Sequence, residues 1–586
     1  MNKIGINFFE NLEIRLKLNL ACFNDDLNTS LTIRENKAPF LELDSLSSPG
    51  FIDITLAEQE RQSIKCSTVH GEYMLVDCTP KGDRIYPRYV VQGSEAEQFK
   101  GVEVSLTGFS SWFDPNPHFA MTDGEIKQTI PTQKIDETVV INGERYQVSS
   151  QFCSNISNIA KRDFLLLEYT TLKVVKIDGT ITVAEAERLL QDIRRLFSLL
   201  LGQPLAIDYA WLISQQNGAR RAFYFSASGS RAEPFEEPHE CLIHGASIFK
   251  NQLWANIFNH YYSLPTASHF EDIWSRLPML FNFSGIWEYE ILGYVSILDA
   301  WCIQTIHNKN SAKSGGEGHN KDRDYIEAKL VTQVQEELLL VVDKHQKQLG
   351  PQYHDAMNRF RSRIKKRVNT GLNRNSSFKL KFDYLMSKVA QGVKDMIDFS
   401  TDEFAAIKKI RDFAAHAQSI DNKDKRDISF EYGLKCKLQV LLYYFVYRDL
   451  GFSAKDYAIC LQSSSNEFVR HANINHACRD KLTGLVPFYP VDKGCFAKAA
   501  QGNRFNVAVE HSSANSGYRW GKQLTEQIQL RWMSAANKEH RTLLDYVKTL
   551  LVDNPEVEVS YIHRAWLSCG EESLLLNGVC LVTYRE

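Results

Sequence analysis

Arg411 and His416 are the pair in this chain best suited to joint chemistry, an arginine and a histidine five positions apart inside Ile410-Arg411-Asp412-Phe413-Ala414-Ala415-His416-Ala417. Arginine stays charged and offers a planar fork of donors to a phosphate. Histidine, titrating near a pH of about 6.5 when unperturbed, takes or gives a proton near neutrality. The combination suits a phosphodiester, and RNA brings its own nucleophile. Its 2′-hydroxyl attacks the adjacent phosphorus if a base removes the proton, an acid protonates the leaving 5′-oxygen, and a cation stabilises the added negative charge. Asp412 stands where it can orient Arg411 or His416. The route asks for no metal and no cofactor, so none is expected.

The spacing alone is weak, since about one such pair is expected by chance in a chain of this length. Its surroundings carry more. Ser400-Thr401-Asp402-Glu403 reads as a capping box, with Phe404, Ile407, Ile410, Arg411 and Ala414 following at helical spacing, so the pair lies late in a capped helix. Asp421 to Lys425 is a polar break, and an apolar helix resumes from Tyr432 to Leu450. None of the other histidines has an arginine five residues before it. The plain structural alternative is a surface arginine paired with Asp412 or Asp402 and a histidine at a helix C-terminus, where a cation is favoured.

One helix supplies one such histidine, and residues five apart lie about 140° apart around an ideal helix. In-line attack profits from a base and an acid on opposite sides of the phosphorus. Two copies of the helix meeting near a two-fold axis would supply both, so a homodimer or higher even-numbered homo-oligomer is expected.

A run of cations precedes the pair: Arg359, Arg361, Arg363, Lys365, Lys366 and Arg367, extended by Arg374, Lys379 and Lys381. Lys408, with Lys409, forms a second cluster beside Arg411. Such a run can track an RNA backbone, although most charge runs are solvated helix faces. The formal net charge of -3 says nothing about nucleic acid, because local charge decides.

A chain of 586 residues exceeds one ordinary core and implies two to four domains. No apolar run approaches the ~20 residues of a membrane span, and the start of the chain does not follow the basic-then-apolar order of a secretory signal. Twelve cysteines without a dense framework suggest reduced thiols. A cytoplasmic protein without a membrane partner is the expectation. Residues 1–245 are rich in strand patterns, at Gly71–Cys78, Val102–Phe109, Glu137–Val148 and Phe164–Ile177. One helix, Val183–Leu201, ends at Gly202. Residues 246–282 carry Trp254, Phe258, Tyr261, Tyr262 and Trp274 and read as a helical connector. His307 to Asp322 reads as a loop, and its glycines make no P-loop because no G-K-[ST] ending follows. The last part mixes helix over Gln523–Val552 with strands at Val557–Ala565 and Leu574–Tyr584. Cys460, His471, His476, Cys478 and Cys495 are ligand types that zinc accepts, as are Cys66, His70 and Cys78. Neither set contains a C-x-x-C pair, and no metal is assigned.

The stretch from about Phe283 to Leu450 resembles the HEPN superfamily of helical nucleases and, within it, the ApeA-like anti-phage group. Ile286–Gln304 is similar to the family's first helix, Ser377–Leu385 to its middle segment, and Ile410–Ala417 to its signature, with a polar residue after the arginine. Gly101–Phe109 running into Trp112-Phe113 is similar to the sheet-rich domain that precedes the nuclease in ApeA-like proteins. The resemblance implies an all-α HEPN ribonuclease bundle over 283–455 behind an N-terminal β-rich domain over 1–245; with the connector over 246–282 and, where the resemblance runs out, a mixed α/β extension over 456–586, an α+β organisation is expected. The resemblance also implies a site built across a dimer, and abortive infection in which a restrained RNase, released by a phage-derived activator, cuts host RNA, tRNA foremost. Two alternatives stand beside it: a non-catalytic HEPN-like module that binds nucleic acid or nucleotide, and the toxin of a HEPN toxin-antitoxin pair.

Overall fold

A computed structural model of the chain describes residues 12–18, 27–33, 37–43, 63–68, 71–81, 84–93, 97–114, 118–122, 125–129, 133–160, 163–226, 240–250, 252–263, 269–281, 287–311, 378–416, 427–512, 517–532, 542–552 and 557–584, with a few helical positions between 333 and 359. The chain forms two compact units. The first comprises Met1–Lys388, Ser400–Ser453 and Ser463–Ala472; the second comprises Val389–Phe399, Ala454–Gln462 and Asn473–Glu586.

In the first unit the strands β1 (Leu12–Leu18), β2 (Leu27–Ile33), β3 (Phe40–Leu43), β4 (Ile64–Thr68), β5 (Gly71–Lys81) and β6 (Arg84–Gln92) pair in a ring. The order β1-β2-β3-β6-β5-β4 returns to β1, every pairing antiparallel, so these six strands close a barrel. Closure removes the unpaired edges that an open sheet would expose. Alternate residues fill the inside: Leu31, Ile33, Leu41, Ile64, Cys66, Leu75 and Ile85 are buried.

β6 belongs to two structures. Ile85 pairs with Leu41 of the barrel, while Val91 pairs with Phe223 in β14 (Arg220–Phe225). From β14 a second antiparallel sheet runs through β13 (Ile207–Ser214), β7 (Phe99–Leu106), β12 (Asp163–Lys176), β11 (Glu144–Ala160) and β10 (Asp136–Ile141). A separate hairpin joins β8 (Phe119–Thr122) to β9 (Glu125–Gln128).

The stretch Glu137–Val148, expected as one strand, is divided between two. Asn142 and Gly143, both at positive φ (51° and 84°), make the two-residue turn that joins β10 to β11. Asn-Gly favours that turn because both central residues need left-handed backbone. The strand expected to run to Phe109 stops at Leu106, and Phe109–Phe113 forms a short helix whose Phe109, Trp112 and Phe113 are buried.

Helix α1 spans Val183–Leu201 as the sequence predicts, and Gly202, at φ 77°, caps its end in the left-handed region where a Cβ is costly. Its start is fixed by a capping box, Thr182 Oγ1 accepting from the Glu185 amide and Glu185 accepting from the Thr182 amide. Tyr89 Oη donates to Glu187 Oε2 at 2.8 Å, which places α1 on the apolar face of the sheet with Val91, Val102, Val104, Leu172, Val174, Leu212 and Phe223. Phe197 of the helix meets Phe109, Trp112 and Trp254 at ring separations of 5.0, 6.1 and 5.8 Å. Burying each such ring stabilises the unit by about 2 to 3 kcal/mol. Trp254 thus docks the connector by packing, as its aromatic content suggests.

Four longer helices complete the first unit: α2 (Trp287–Ser311), α3 (Phe378–Ser387), α4 (Thr401–His416) and α5 (Ile428–Asp449). α2 continues to Ser311, so the first part of the expected loop at His307 is helical; residues 312–322 lie outside the described residues. α5 is buried on all sides from Leu438 to Tyr447, as befits a helix that is apolar all round. Tyr447 Oη donates to the Leu200 carbonyl at 2.7 Å and ties α5 to the end of α1. At the last residue of α5, Asp449 Oδ2 accepts from Trp274 Nε1 (3.0 Å) and Trp301 Nε1 (3.3 Å), lies 3.2 Å from His269 Nδ1, and Oδ1 accepts from Arg448 (3.0 Å). Burial raises the pKa of this carboxyl, but His269, Arg448 and Trp274 outweigh it and hold the group below its ordinary range.

The second unit carries a five-stranded mixed sheet in the order β15 (Phe488–Pro490), β18 (Val557–Cys569), β19 (Glu572–Tyr584), β16 (Phe505–Ser512), β17 (Gly517–Trp520). One core holds Tyr489, Val507, Val509, Leu567 and Leu576; the other holds Ala508, Ile528, Leu543, Val547 and Val582, so both faces are covered. The stretch Gln523–Val552 is not one helix. It comprises Lys522–Gln527, a π-helical turn Ile528–Trp532 and Leu543–Leu550, with residues 533–541 outside the described residues. At α6 (His476–Thr483), Asp480 is fully buried and accepts from Arg479, Arg564 and Trp566.

Candidate functional site

α4 begins where the sequence places it. Ser400 Oγ accepts from the Glu403 amide (3.1 Å), and Glu403 Oε2 accepts from the Ser400 amide (2.8 Å). The other carboxylate oxygen of Glu403 receives Lys437 Nζ at 2.8 Å, so the residue that caps α4 also fastens it to α5. Ile407 and Ile410 turn inward and are buried, while Lys408 and Lys409 are exposed. Phe404 lies on Phe378 of α3, ring centroids 5.4 Å apart and 14° from parallel, and near Phe382 at 5.0 Å. Further ion pairs link the other helices: Lys381 with Asp299 at 3.1 Å joins α3 to α2, and Lys435 with Glu290 at 3.1 Å joins α5 to α2.

This bracing holds Arg411 in a defined place near the end of α4. Its Nε donates to Asp412 Oδ1 at 2.9 Å, and Nη2 shares the same oxygen. The guanidinium carbon sits 5.1 Å from the centroid of Phe378. The fork is therefore held by a carboxylate on one side and a ring on the other. The Arg411 side chain remains 26% exposed and that of Asp412 41% exposed, so the pair opens to solvent. An exposed ion pair contributes little to stability, about 0 to 1 kcal/mol, and a phosphate can displace the carboxylate at correspondingly low cost. Of the two residues the sequence offered Asp412 as partners, Arg411 is in contact with it, and the side chain of His416 lies outside the described residues.

His416 is the last residue of α4, and its side chain lies outside the described residues. Of the basic run, Arg359 is helical and exposed, while Arg361, Arg363, Lys365, Lys366 and Arg367 lie outside the described residues, as does Arg374. Lys379 is exposed on α3, whereas Lys381 is committed to Asp299 and 12% exposed, which makes it a brace between helices rather than part of an open basic surface.

The sequence reading missed Phe378 as the seat of the arginine and Lys437 as the partner of the capping glutamate. Both contacts join residues far apart in the chain, where no spacing rule reaches. The cysteines raised as ligand types sit differently. Burial pushes the Cys66 and Cys78 thiols up to about 12, Cys460 is also raised by burial, and Cys495 accepts from the Trp520 amide at 2.8 Å. His70 lies outside the described residues. Among the described residues no group of three His, Cys, Asp or Glu is placed to hold a metal ion, every cysteine is a free thiol, and no helix is long and apolar enough to cross a membrane.

Residues 23–256 match the family model for ApeA N-terminal domain 1. The match suggests an ApeA-like anti-phage protein. It begins ahead of β2 and ends inside the helix Trp254–Tyr261, so it takes in five strands of the barrel, the whole second sheet, α1 and the tryptophan that docks the connector. No curated protein and no solved structure matches the chain.

Proposed function

We propose that this protein is a metal-independent endoribonuclease of the HEPN type that acts in anti-phage defence by abortive infection, cutting host RNA, with tRNA as its principal target. The observation that carries the reading is the seat of Arg411: a guanidinium braced by Asp412 and Phe378, open to solvent, on the helix that ends at His416. The ApeA-like N-terminal domain supports the defence role.

In this reading the phosphodiester takes the place of Asp412 on part of the Arg411 fork, and the guanidinium stabilises the charge that builds on the non-bridging oxygens. His416 removes the 2′-hydroxyl proton. The oxygen attacks the adjacent phosphorus, the bond to the 5′-oxygen breaks, and that oxygen leaves with a proton from the histidine of a second copy of the chain. The products are a 2′,3′-cyclic phosphate and a 5′-hydroxyl. Lys408, one turn back on α4, and the run Arg359 to Arg367 supply cations for the backbone on either side, making binding fall as salt rises. A phage-derived activator releases the enzyme from restraint, because an unrestrained RNase would harm its host.

The test is to map RNA ends in cells after inducing the wild type, Arg411→Ala and His416→Ala. New ends confined to tRNA and toxicity in the wild type alone are expected. Equal toxicity from either variant contradicts the assignment.

A further inference from the structure

The face of the second sheet turned away from α1 is built differently from the apolar one. Cross-strand partners in an antiparallel sheet share a face. The pairs Cys153–Tyr169, Lys173–Glu103, Glu103–Trp211 and Ser105–Tyr209 therefore bring these residues together on four neighbouring strands, with Arg220 reaching in from a fifth, β14. At the centre Glu103 is 1% exposed and accepts from Arg220 Nε at 2.8 Å and Thr171 Oγ1 at 2.6 Å. Arg220 Nη2 also reaches Cys153 Sγ at 3.3 Å, and the guanidinium lies 5.4 Å from the Trp211 ring. Tyr209 stacks on Trp211 at 5.6 Å and 18°, and Tyr169 stands 6.4 Å from Tyr209.

The chemistry left over selects the ligand. A cation cage would leave a ring face and a carboxylate open, but here Arg220 already occupies both Trp211 and Glu103. Half-buried on the same face are the rings of Tyr169 and Tyr209 and the guanidinium of Arg220. Beside them stands Lys173, which is in no ion pair among the described residues. Planes at neighbouring positions accept successive flat rings of any identity, and a spare ammonium suits a backbone of phosphates. Helices covering one face of an antiparallel sheet while aromatic side chains dress the other is the arrangement by which sheets stack unpaired bases.

We propose that this face binds unpaired nucleotides of single-stranded RNA, the bases stacking on Tyr169, Tyr209 and the outer plane of Arg220 with a phosphate on Lys173. The choice of RNA rests on the nuclease reading above; the stacking surface does not. It gives the enzyme a preference for loops over duplex, because only unstacked bases can lie on the rings.

The test is fluorescence anisotropy with a short fluorescein-labelled oligouridylate, using the full-length His416→Ala chain so that the probe stays uncut. Tyr169→Leu and Tyr209→Leu are each expected to weaken binding at least about tenfold. Tyr169→Phe and Tyr209→Phe keep the ring and are expected to retain binding, which separates stacking from misfolding. A duplex of the same length is expected to bind more weakly. Binding unchanged in both leucine variants, no binding at all, or equal binding of duplex overturns the proposal. A chain that binds through these tyrosines but never cuts contradicts the nuclease reading and leaves the platform standing; one that cuts while ignoring them overturns the platform alone.

Discussion

Two arginines of this protein are held by the same kinds of partner to opposite ends. Arg220 in the sheet domain and Arg411 at the end of α4 each donate two nitrogens to a carboxylate and each lie over an aromatic ring, Trp211 in one case and Phe378 in the other. The carboxylates differ. Glu103 is 1% exposed and comes from a strand more than a hundred residues away, whereas Asp412 is the next residue and 41% exposed. A desolvated pair cannot exchange partners without leaving a charge stranded, so Arg220 is a fixed plane. A solvated pair exchanges at little cost, so the Arg411 fork can give up Asp412 for another anion. Burial of the acid, rather than the arginine itself, separates the fixed pair from the one that the proposed mechanism uses.

The largest effects are expected at the exposed site and on activity. Arg411→Ala and His416→Ala should each lower RNA cleavage by about a thousandfold or more, in the range for losing a proton-transfer group or an oxyanion stabiliser. Thermal unfolding of Arg411→Ala should move little, since its pair is exposed. A large loss of stability in that variant would erase the contrast with Arg220.

The buried acids should behave in the opposite way. Asp449→Ala strands His269, Trp274, Trp301 and Arg448 and is expected to cost about 3 to 5 kcal/mol in denaturant unfolding. Because the Asp449 carboxyl is held below its ordinary range in the folded protein, its contribution is complete above a pH of about 4 and lost as pH falls through the folded value. Asp449→Asn should therefore flatten the acid side of the stability profile. An unchanged acid limb would mean the carboxyl is not the group that titrates there.

Glu103→Ala is expected to cost about 2 to 3 kcal/mol, less than a fully buried pair because Arg220 keeps a third of its side chain in solvent. Asp412→Ala should cost under about 1 kcal/mol of stability. It is still expected to slow cleavage by about tenfold, because a wandering Arg411 meets the phosphate less often in the right geometry. Equal stability losses in the two variants would show that burial is not what distinguishes the two pairs.

Much of the scaffold was legible because it is written locally. The box Ser400–Glu403, the helix Val183–Leu201 with its terminal Gly202, and the apolar segment that became α5 follow from capping, periodicity and left-handed glycine. The Asn142-Gly143 turn was equally local and was overlooked, since β-branched residues on both sides merge into one run. What spacing cannot carry is closure and long-range pairing. The ring of six strands depends on β6 meeting both β3 and β5, and the seat of Arg411 on a phenylalanine in another helix. The second unit draws Val389–Phe399 from between α3 and α4, a division that chain order does not show.

Assembly gives a concentration test: an even-numbered oligomer by light scattering, with specific activity that falls on dilution, is expected from a site that borrows its acid from a second copy. The most direct measurement is cleavage of purified tRNA by the purified chain in excess EDTA, with the chemistry of the new ends determined. Wild-type protein leaving 2′,3′-cyclic phosphate and 5′-hydroxyl ends in EDTA, with His416→Ala inactive, is the expected result. Cleavage that requires Mg²⁺ and leaves 5′-phosphates, or that survives His416→Ala, contradicts the assignment of the chemistry to Arg411 and His416.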